Sequence, residues 1–547
     1  MAKITYTTDV LVIGSGFAGN RAALGAAEAG AKVLQATIGG GGSPNIMGFS
    51  AAVMEGDSVD VIYDDVMKSG LGMNIPELTR IYADATDELI PDMEAIGVPF
   101  KKDDKGNFLP LHSLGTKYPR LIIQYQCLTG NYIQKGLNGK VRDNRNILVR
   151  TNTMITDLVV DKGRVYGACG IDTATGEFLL VKCRAVVVAA GGSGRMIPFT
   201  TYPNDVTGDG MAMAYRAGLR VMDMELLQFE PCCFVHPPAI YGYCNPTTFL
   251  KMGAKLLNNR DEAFISDYST IQKDEMARKM HQEIAAGRGT PHGGVYYDVR
   301  MLPEEVVKVT HYVHYEPALT EGGIDICKEV SEVAPAGHSF QGGVVTRADC
   351  STEIAGLYIA GEAMGGVHGA KRMGGDAGGA ALVFGKIAGK TVGDAYKGLD
   401  FGDDALIEKL AVEVEDIAKK AQAREGHDPQ AFKKAIQDMM FAKVGLVKNE
   451  QGLASALEAI DGFEADFGRL GVSSPQDMRA LYSARNMLST ARMMAMCARE
   501  RKESRGVHYR EDYPELNDAE WFGKNIILSR ASDGRMKADI VTQQNRK

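Results

Sequence analysis

Residues 9–35, DVLVIGSGFAGNRAALGAAEAGAKVLQ, join a continuous apolar run, a glycine turn, an alanine-rich segment and a second apolar run. This order predicts a βαβ unit with Gly14, Gly16 and Gly19 in a GxGxxG turn. The first glycine permits the tight turn, the second lets the backbone approach a pyrophosphate, and the third lets helix and strand pack closely. Free N–H groups at the helix N-terminus favour the anion. The stretch therefore predicts a dinucleotide-binding fold.

Two later glycine turns indicate which dinucleotide this is. The second strand of the unit ends in Gln35, where an acid usually holds the ribose of a nicotinamide cofactor, and no arginine follows for a 2′-phosphate. In residues 185–195, AVVVAAGGSGR, and in residues 356–366, GLYIAGEAMGG, a glycine turn follows a short apolar strand. The second of these turns carries Gly361 and Glu362, in the place where two-site flavin proteins hold the ribitol. Together the three segments favour FAD over NAD.

Length and charge restrict the class of protein. At 547 residues the chain exceeds what one hydrophobic core usually serves. It carries 69 acidic and 61 basic side chains, a net charge of -8 that gives no field to attract nucleic acid. We therefore expect small molecules or proteins as partners and no nucleic acid.

The chain shows no signal for a membrane or a metal. No apolar run approaches the roughly 20 residues of a membrane span, and the N-terminus lacks the apolar core of a signal peptide. Nine cysteines, an odd number with no CxxC spacing, predict neither a disulfide scaffold nor a zinc or iron–sulfur site. We expect a cytoplasmic protein that has no membrane-spanning segment and no metal site of its own.

The pattern along the chain predicts an α/β protein with an interrupted Rossmann-like FAD-binding domain. Its first part is residues 1–235 and its second part is residues 351–400. Residues 236–350, richer in Pro, Tyr and His, predict an inserted α+β capping domain. Residues 401–547 show helical periodicity and predict a C-terminal helical domain.

Three further segments carry a family resemblance. They are TGDGMAMAYRAGLRVMDMELLQFEP (207–231), VHGAKRMGGDAGG (367–379) and RKESRGVHYREDYPE (501–515). In this order they resemble the flavoprotein subunits of succinate dehydrogenase, fumarate reductase and L-aspartate oxidase, over nearly the whole chain. The resemblance implies a flavin-binding domain, a mobile capping domain and a helical C-terminal region. It also implies hydride transfer from flavin N5 to an activated carbon–carbon double bond, and a separate iron–sulfur protein as electron partner.

The family's substrate residues are only partly present. The resemblance places a substrate-holding histidine at His338 and the substrate-holding arginine at Arg372. The second substrate histidine falls at Glu230, and the proton-donating arginine falls at Lys273. The flavin-linking histidine falls near Pro44, so the resemblance implies non-covalent FAD. The predicted catalytic residues are therefore His338, Arg372, Lys273 and Glu230.

The glycine turns and the resemblance together predict the FAD contacts. These are Gly14, Gly16, Ala18, Gly19, Gln35, Ser43, Ala190, Gly191, Asp209, Gly361, Glu362 and Gly378.

Glu230, in MELLQFEPCCF (224–234), decides which substrate fits. An ionised Glu230 about 4 Å from a substrate carboxylate would cost about 4 kcal/mol at an effective dielectric of 20. A small dicarboxylate such as fumarate or succinate is therefore a poor fit. Three alternatives remain open: burial protonates Glu230, the substrate is cationic or neutral at that end, or Glu230 pairs with a nearby arginine or lysine and touches no substrate.

Each of the other candidate residues has both a structural and a functional interpretation. Lys273 can replace arginine as proton donor, or it is a surface helix lysine. Cys232 and Cys233 are buried hydrophobes, or they have a redox or substrate-thiol function. His112 lies in a loop that corresponds to a substrate-side stretch of the family. His368 contacts the flavin through its backbone or only packs.

Three functions fit these residues. The leading one is the catalytic FAD subunit of a complex that exchanges two electrons with an organic acid or related small substrate. The second is sulfur chemistry like that of the adenylylsulfate reductase flavoprotein. The third is an electron-relay protein of such a complex, without a substrate of its own.

Overall fold

The structure is a computed structural model, and it describes residues 3–113, 115–124, 126–268 and 270–542. Its strands are β1 (Lys3–Ile13), β2 (Val33–Ala36), β3 (Gly48–Ser50), β4 (Leu121–Ile123), β5 (Ile147–Arg150), β6 (Thr153–Asp161), β7 (Arg164–Asp172), β8 (Phe178–Val188), β9 (Val221–Met222), β10 (Leu227–His236), β11 (Lys255–Leu257), β12 (Val295–Asp298), β13 (Ser331–Phe340), β14 (Gly343–Val344), β15 (Leu357–Ile359), β16 (Lys524–Arg530) and β17 (Met536–Thr542).

The α-helices are α1 (Phe17–Glu28), α2 (Val59–Ser69), α3 (Pro76–Asp84), α4 (Thr86–Glu94), α5 (Thr129–Asp143), α6 (Asp209–Arg216), α7 (Thr248–Lys251), α8 (Lys273–Glu283), α9 (Tyr312–Thr320), α10 (Asp376–Ala395), α11 (Asp404–Gln422), α12 (Pro429–Val444), α13 (Glu450–Phe467), α14 (Pro475–Glu500) and α15 (Asp518–Trp521).

The main sheet is built around the βαβ unit that the sequence predicts. It has the strand order β5-β2-β1-β8-β7-β6, and β15 also pairs with β8. Strands β1 and β2 run parallel, from Val10 opposite Val33 to Ile13 opposite Ala36, with α1 between them in the chain. The last four residues of β1 are buried, as expected for a parallel strand covered on both faces. The predicted Rossmann-like α/β fold is confirmed.

Helices α1 and α10 pack against each other through small residues and run in the same direction. A Cβ on Gly385 would lie 2.6 Å from the Ala18 backbone, and one on Gly389 would lie 2.8 Å from the Ala22 carbonyl oxygen. Only glycines allow this separation, because core packing leaves no room for another atom. The contact brings the N-termini of both helices to the same end of the sheet.

A second, four-stranded sheet forms the capping region, in the order β10-β13-β12-β11. The predicted boundary at 235/236 falls inside β10, which pairs antiparallel with β13. Pro231 lacks an N–H group, and the register shifts between Glu230 and Cys233 in a β-bulge. A single bridge between Thr200 and Gly337 joins β13 to the segment that follows β8, so the capping sheet is tied to the main sheet at this point.

The C-terminal region contains helices α11 to α14, as the sequence predicts, and adds a hairpin that it does not. Strands β16 and β17 pair from Lys524–Thr542 to Arg530–Met536, and β16 also pairs with β9. The Asp533–Gly534 dipeptide between the two strands is a strong hairpin signal in the sequence. Among the described residues, no helix has the length and apolar character needed to cross a membrane.

Three residues of the segment 501–515, Arg501, Glu503 and Arg505, belong to a buried ion cluster. The Arg501 guanidinium pairs with Glu225, with Asp223 at 3.3 Å and with Glu503 at 3.2 Å. Arg505 pairs with Glu503 at 2.8 Å, and all of these residues are buried. A buried charge needs a partner, so the ion pairs fix this segment against the turn between β9 and β10. These three residues of the signature therefore hold the C-terminal region to the turn before β10.

Candidate active site

A cavity of about 1240 Å³ lies between the end of the main sheet and the capping sheet. Small-molecule pockets usually have about 300–1,000 Å³, so this one has room for a dinucleotide and a substrate together. Its walls come from the glycine turn after β1, the N-terminus of α10, the loop after β15, and strands β10 and β13.

The glycine turn gives the cavity a bare backbone wall. Gly14 has φ +109°, and a Cβ there would lie 2.3 Å from the Ala189 carbonyl oxygen. A Cβ on Gly16 would lie 2.8 Å from the Ser43 hydroxyl oxygen, which accepts a hydrogen bond from the Phe17 N–H at 3.0 Å. Backbone and helix N-terminus are thus open to an anionic ligand, which fits the pyrophosphate of a dinucleotide.

Most of the predicted cofactor residues line this cavity. They are Gly14, Gly16, Ala18, Ser43, Ala190, Gly191, Asp209, Gly361, Glu362 and Gly378. They come from separate segments of the chain that meet where the strands of the main sheet end, as ligands in α/β proteins require.

Gln35 and Gly19 are not among the cavity residues. The Gln35 side-chain amide donates to the Gly14 carbonyl oxygen and to the Asn20 side-chain oxygen, both at 3.0 Å, and Gln35 is buried. The Gln35 side-chain amide is thus directed into the turn, and a contact between Gln35 and the cofactor stays a prediction. A Cβ on Gly19 would lie 2.2 Å from the Gly14 carbonyl oxygen, so Gly19 allows close helix–strand packing.

Glu362 lines the cavity, but its carboxylate is bound by the protein. The backbone N–H groups of Gly192 and Phe340 donate to it, each at 3.0 Å, and the Tyr202 hydroxyl also donates to it. Burial raises the pKa of Glu362, and these hydrogen bonds partly oppose that effect. Glu362 therefore joins the glycine turn after β8 to the end of β13.

Strand register places the substrate-side residues together. Glu230 lies opposite Ala336 and Cys233 lies opposite Ala334, two residues apart on β13. Because alternate residues of a strand share a face, Glu230, Cys233 and His338 lie on one side of the capping sheet. Without the bulge, Glu230 and Cys233 would point to opposite sides.

Glu230 and Lys273 form an ion pair in the cavity wall. The Lys273 ammonium nitrogen is 2.8 Å from Oε1 and 2.6 Å from Oε2 of Glu230. Burial alone would raise the pKa of Glu230, but the charges of Lys273, His338 and Arg372 hold it below its usual value. The protonated form that the sequence left open is therefore disfavoured, and the third sequence alternative, pairing with a lysine, matches the geometry.

Arg372 and His338 are held by neighbouring side chains. The Arg372 guanidinium Nε donates to the Ser339 hydroxyl at 3.1 Å, and its Nη1 donates to the Met373 carbonyl oxygen. His338 Nδ1 lies 3.0 Å from the Thr201 hydroxyl. Both residues line the cavity with Glu230 and Lys273, so this end presents a fixed guanidinium, an imidazole and a neutralised ion pair.

Three further positions considered in the sequence, His112, His368 and Pro44, have different surroundings. His112 lines the cavity, with Nε2 at 2.9 Å from the Thr116 carbonyl oxygen. His368 packs edge-on against Tyr82, and burial together with the charge of Arg372 lowers its pKa to about 3. Pro44, the counterpart of the flavin-linking histidine, lies in a short 3₁₀ turn, Ser43–Asn45, beside the cavity.

The structure adds Cys244 to the site, which the sequence did not indicate. Cys244 lines the cavity, and the Cys233 thiol donates to its sulfur at 3.7 Å. Cys232 instead lies in the core of the capping domain. The two cysteines are 11 residues apart and meet at an isolated antiparallel bridge, which no motif in the sequence predicts. The described residues contain no group of three or more His, Cys, Asp or Glu side chains suited to a metal ion.

Family models match the chain at both ends. A model described as FAD binding domain matches residues 9–377, and one described as Fumarate reductase flavoprotein C-term matches residues 433–545. The first model covers more than half of the chain and includes the glycine turns after β1, β8 and β15. FAD is therefore the cofactor that the cavity accommodates.

Relatives extend over almost the full length. The chain is 33% identical to one of the subunits of fumarate reductase (CoM/CoB) of Methanothermobacter marburgensis, over 97% of this chain and 98% of that protein. It is 29% identical to L-aspartate oxidase of Vibrio cholerae, over 93% and 96%. A quinol fumarate reductase structure from E. coli superimposes with a TM-score of 0.90 at 25% identity, over 99% of this chain and 97% of that one. The chain is thus an FAD-dependent oxidoreductase that belongs to the flavoprotein family of the fumarate reductases, succinate dehydrogenases and L-aspartate oxidases.

Proposed function

We propose that this protein exchanges two electrons with an organic acid that carries one carboxylate and, at its other end, a neutral hydrogen-bonding group. The observation that carries the proposal is the placement of the Glu230–Lys273 ion pair beside Arg372 and His338 in one cavity wall. FAD supplies hydride transfer to or from carbon. The rest of the reaction depends on how these four side chains hold the substrate.

The charge balance of the site supports a single carboxylate. The charges of Glu230 and Lys273 cancel, and the buried guanidinium of Arg372 is the cation beside them. A carboxylate on Arg372 forms a charge-assisted hydrogen bond. A second carboxylate near Glu230 would meet no net positive charge. An amide, ester or thioester carbonyl would accept a hydrogen bond from Lys273 without that cost.

Lys273 is the proposed proton donor to carbon. Its ammonium is held by two hydrogen bonds, so its position is fixed while a third N–H remains for a substrate. General acids must lie within hydrogen-bond reach of the atom they serve, and Lys273 lines the cavity beside Glu230. His338, oriented by Thr201, and Arg372, oriented by Ser339, then fix the acid so that one carbon faces Lys273.

We propose that FAD is held without a covalent bond. The residue in the place of the family's flavin-linking histidine is Pro44, which has no nucleophilic atom in its side chain. Denaturation followed by ultrafiltration tests this, because non-covalent FAD would pass into the filtrate and leave a colourless protein. A yellow protein fraction would contradict it.

We also propose an iron–sulfur protein as the electron partner. The relative from Methanothermobacter marburgensis is named as one subunit of its enzyme, which supports a multi-subunit assembly for this chain as well. Co-purification of the tagged chain from its native cells, followed by iron and sulfide analysis, tests this. A chain that isolates alone and still turns over with its natural electron acceptor would contradict it.

The substrate proposal is tested by anaerobic flavin spectroscopy. Fumaramate and fumarate share a carbon skeleton, but only fumaramate carries one carboxylate and one neutral end. We expect dithionite-reduced enzyme to be reoxidised faster by fumaramate, and Arg372→Ala to lose this reaction. Arg142→Ala, a change at an exposed helix arginine, serves as the matched control. Flavin that no acid oxidises or reduces, but that sulfite bleaches, would favour the sulfur chemistry instead.

A further inference from the structure

Cys233 and Cys244 are placed as a pair by backbone pairing. Residues 242–245 pair with the free edge of β10, where Asn245 N–H donates to the Cys232 carbonyl at 2.7 Å and Phe234 N–H donates to the Tyr243 carbonyl at 2.9 Å. These bonds flank Cys233 and Cys244, which makes them a non-hydrogen-bonded antiparallel pair. Cα atoms in such pairs are about 4.5 Å apart, within the range of about 4.4–6.8 Å found across disulfides.

The two sulfurs are also close, and their environments differ. Their separation of 3.7 Å means that small side-chain rotations bring them to bonding distance, with no change in the backbone. Cys233 is fully buried against Phe199, Ala334 and Ala336, whereas Cys244 faces the cavity. A molecule in the cavity therefore reaches Cys244 first.

The charges around the pair activate one sulfur. The hydrogen bond from Cys233, together with the neighbouring His338, lowers the pKa of Cys244 to about 6 against the effects of burial and of the Glu230 charge. Burial raises the pKa of Cys233 well above its usual value, and the bond to Cys244 adds to this. Cys244 is thus the nucleophile and Cys233 the proton-bearing partner, which is the asymmetry that thiol–disulfide exchange needs.

We propose that Cys244 and Cys233 form a thiol–disulfide exchange site that reacts with a low-molecular-weight disulfide admitted to the active-site cavity. The Cys244 thiolate attacks one sulfur of the disulfide RSSR, forms a mixed disulfide and expels RS⁻. That thiolate takes the Cys233 proton and leaves as RSH. The Cys233 sulfur then attacks Cys244, forms the protein disulfide and expels the second RS⁻, which is protonated by water. The protein dithiol is oxidised and the small disulfide is reduced to two thiols.

The exchange site is distinct from the proposed binding site of the organic acid, but His338 belongs to both. Oxidation removes the thiolate from His338, so the state of the pair changes the charge that faces the substrate carboxylate. The exchange reaction needs neither the acid substrate nor the flavin. Failure of the acid proposal would therefore leave this inference standing, and the reverse also holds.

The test is thiol mapping of the holoenzyme with 2-hydroxyethyl disulfide under anaerobic conditions. Residues 221–251 form one tryptic peptide that contains Cys232, Cys233 and Cys244. We expect its mass to fall by two thiol hydrogens, with Cys232 still open to alkylation, and dithiothreitol to restore it. Cys233→Ser should trap the mixed disulfide on Cys244, and Cys232→Ser, the matched control, should leave the cross-link unchanged.

A second measurement does not depend on any variant. Cys127 lines the same cavity, and burial raises its pKa, so it is the internal reference thiol. At pH 6 we expect iodoacetamide to alkylate Cys244 at least about tenfold faster than Cys127 in the native protein, because its larger thiolate fraction outweighs its lower intrinsic nucleophilicity. Faster reaction of Cys127, a peptide 221–251 that stays reduced, or a Cys232–Cys233 bond would overturn the proposal.

Discussion

The ammonium nitrogen of Lys273 lies 2.8 and 2.6 Å from the two carboxylate oxygens of Glu230, so each charge neutralises the other inside the cavity wall. The family resemblance places two cationic or neutral substrate contacts at these positions. This chain has Glu230 and Lys273 there instead, and their pairing brings the total charge of the two positions to zero. The consequence is a site that can tolerate Glu230 without rejecting every acid.

Removing the Lys273 charge should slow the reaction and change the protonation of Glu230. In Lys273→Met we expect kcat/KM to fall by about 10²–10⁴-fold, the range for loss of a positioned proton donor. The pKa of Glu230 should rise above its ordinary value, because burial then outweighs the remaining charges of His338 and Arg372. The pH profile of kcat/KM checks this through a new ionisation at higher pH. Lys273→Arg keeps the ion pair and should not show this new ionisation. An unchanged pH profile in Lys273→Met would mean that the pairing of Glu230 with Lys273 does not affect the reaction.

Removing the Glu230 charge should change which acid the enzyme prefers. Unit charges about 4 Å apart interact by about 4 kcal/mol at an effective dielectric of 20. In Glu230→Gln we therefore expect the ratio of kcat/KM for fumarate to that for fumaramate to rise, by up to about 10³-fold. Steady-state kinetics with both acids measures the ratio. Glu275→Gln, an exposed acid on the same helix as Lys273, is the matched control. If both variants give the wild-type ratio, Glu230 does not select substrate charge.

The cofactor end of the site could be predicted from the sequence because its signals are local. Gly14, Gly16 and Gly19 belong to one turn, and their order along residues 9–35 fixes a strand, a turn and a helix without reference to the rest of the chain. The later turn at Gly361 and Glu362 follows a buried strand in the same way. What the sequence could not assign was orientation, as Gln35 demonstrates: its amide closes the glycine turn rather than facing the cavity.

The substrate end depends on contacts between separate segments of the chain. Glu230 and Lys273 are 43 residues apart, and they meet because α8 packs against β10. Cys233 and Cys244 face each other through one bridge beside a bulge at Pro231. Neither contact produces a periodic pattern in the sequence. Residue types therefore suggested the chemistry, but only the folded structure shows which residues pair.

The glycine turn gives a prediction for cofactor binding. Gly14→Ala places a Cβ 2.3 Å from the Ala189 carbonyl oxygen at φ +109°, so the turn must move and bound FAD should be lost. Gly163→Ala is the control, since Gly163 has φ +74° but no atom within 4 Å of an added Cβ. We expect it to cost only about 1–2 kcal/mol of stability and to keep its flavin. The absorbance ratio of flavin to protein after gel filtration measures both. Equal flavin content in the two variants would contradict the assigned function of the turn.

The buried ion cluster gives a prediction for stability. Arg501→Met would leave Asp223, Glu225 and Glu503 without their shared cation, and breaking a buried ion pair costs about 3–5 kcal/mol. Arg535→Met removes an exposed arginine paired with Asp533, and such surface pairs contribute about 0–1 kcal/mol. Thermal unfolding of the FAD-loaded proteins should therefore show a clearly lower midpoint only for Arg501→Met. Similar midpoints for the two variants would mean that the cluster does not hold the C-terminal segment.

Lys448, beside the same cluster, gives a prediction with pH. Burial lowers its pKa to about 8, with Glu225 and Arg510 acting in opposite directions. An unfolded lysine has a pKa of about 10.4, so between pH 8 and about 10.4 the unfolded chain binds more protons and this residue makes stability rise with pH. Below pH 8 the folded protein carries the full cost of the buried ammonium, about 3 kcal/mol at 1.36 kcal/mol per pKa unit. Lys448→Met should therefore be more stable than the wild type at pH 7, and its advantage should disappear by about pH 10.5. Unfolding midpoints of both proteins at pH 7, 9 and 10.5 measure the difference, and a constant difference would mean that Lys448 does not titrate in this range.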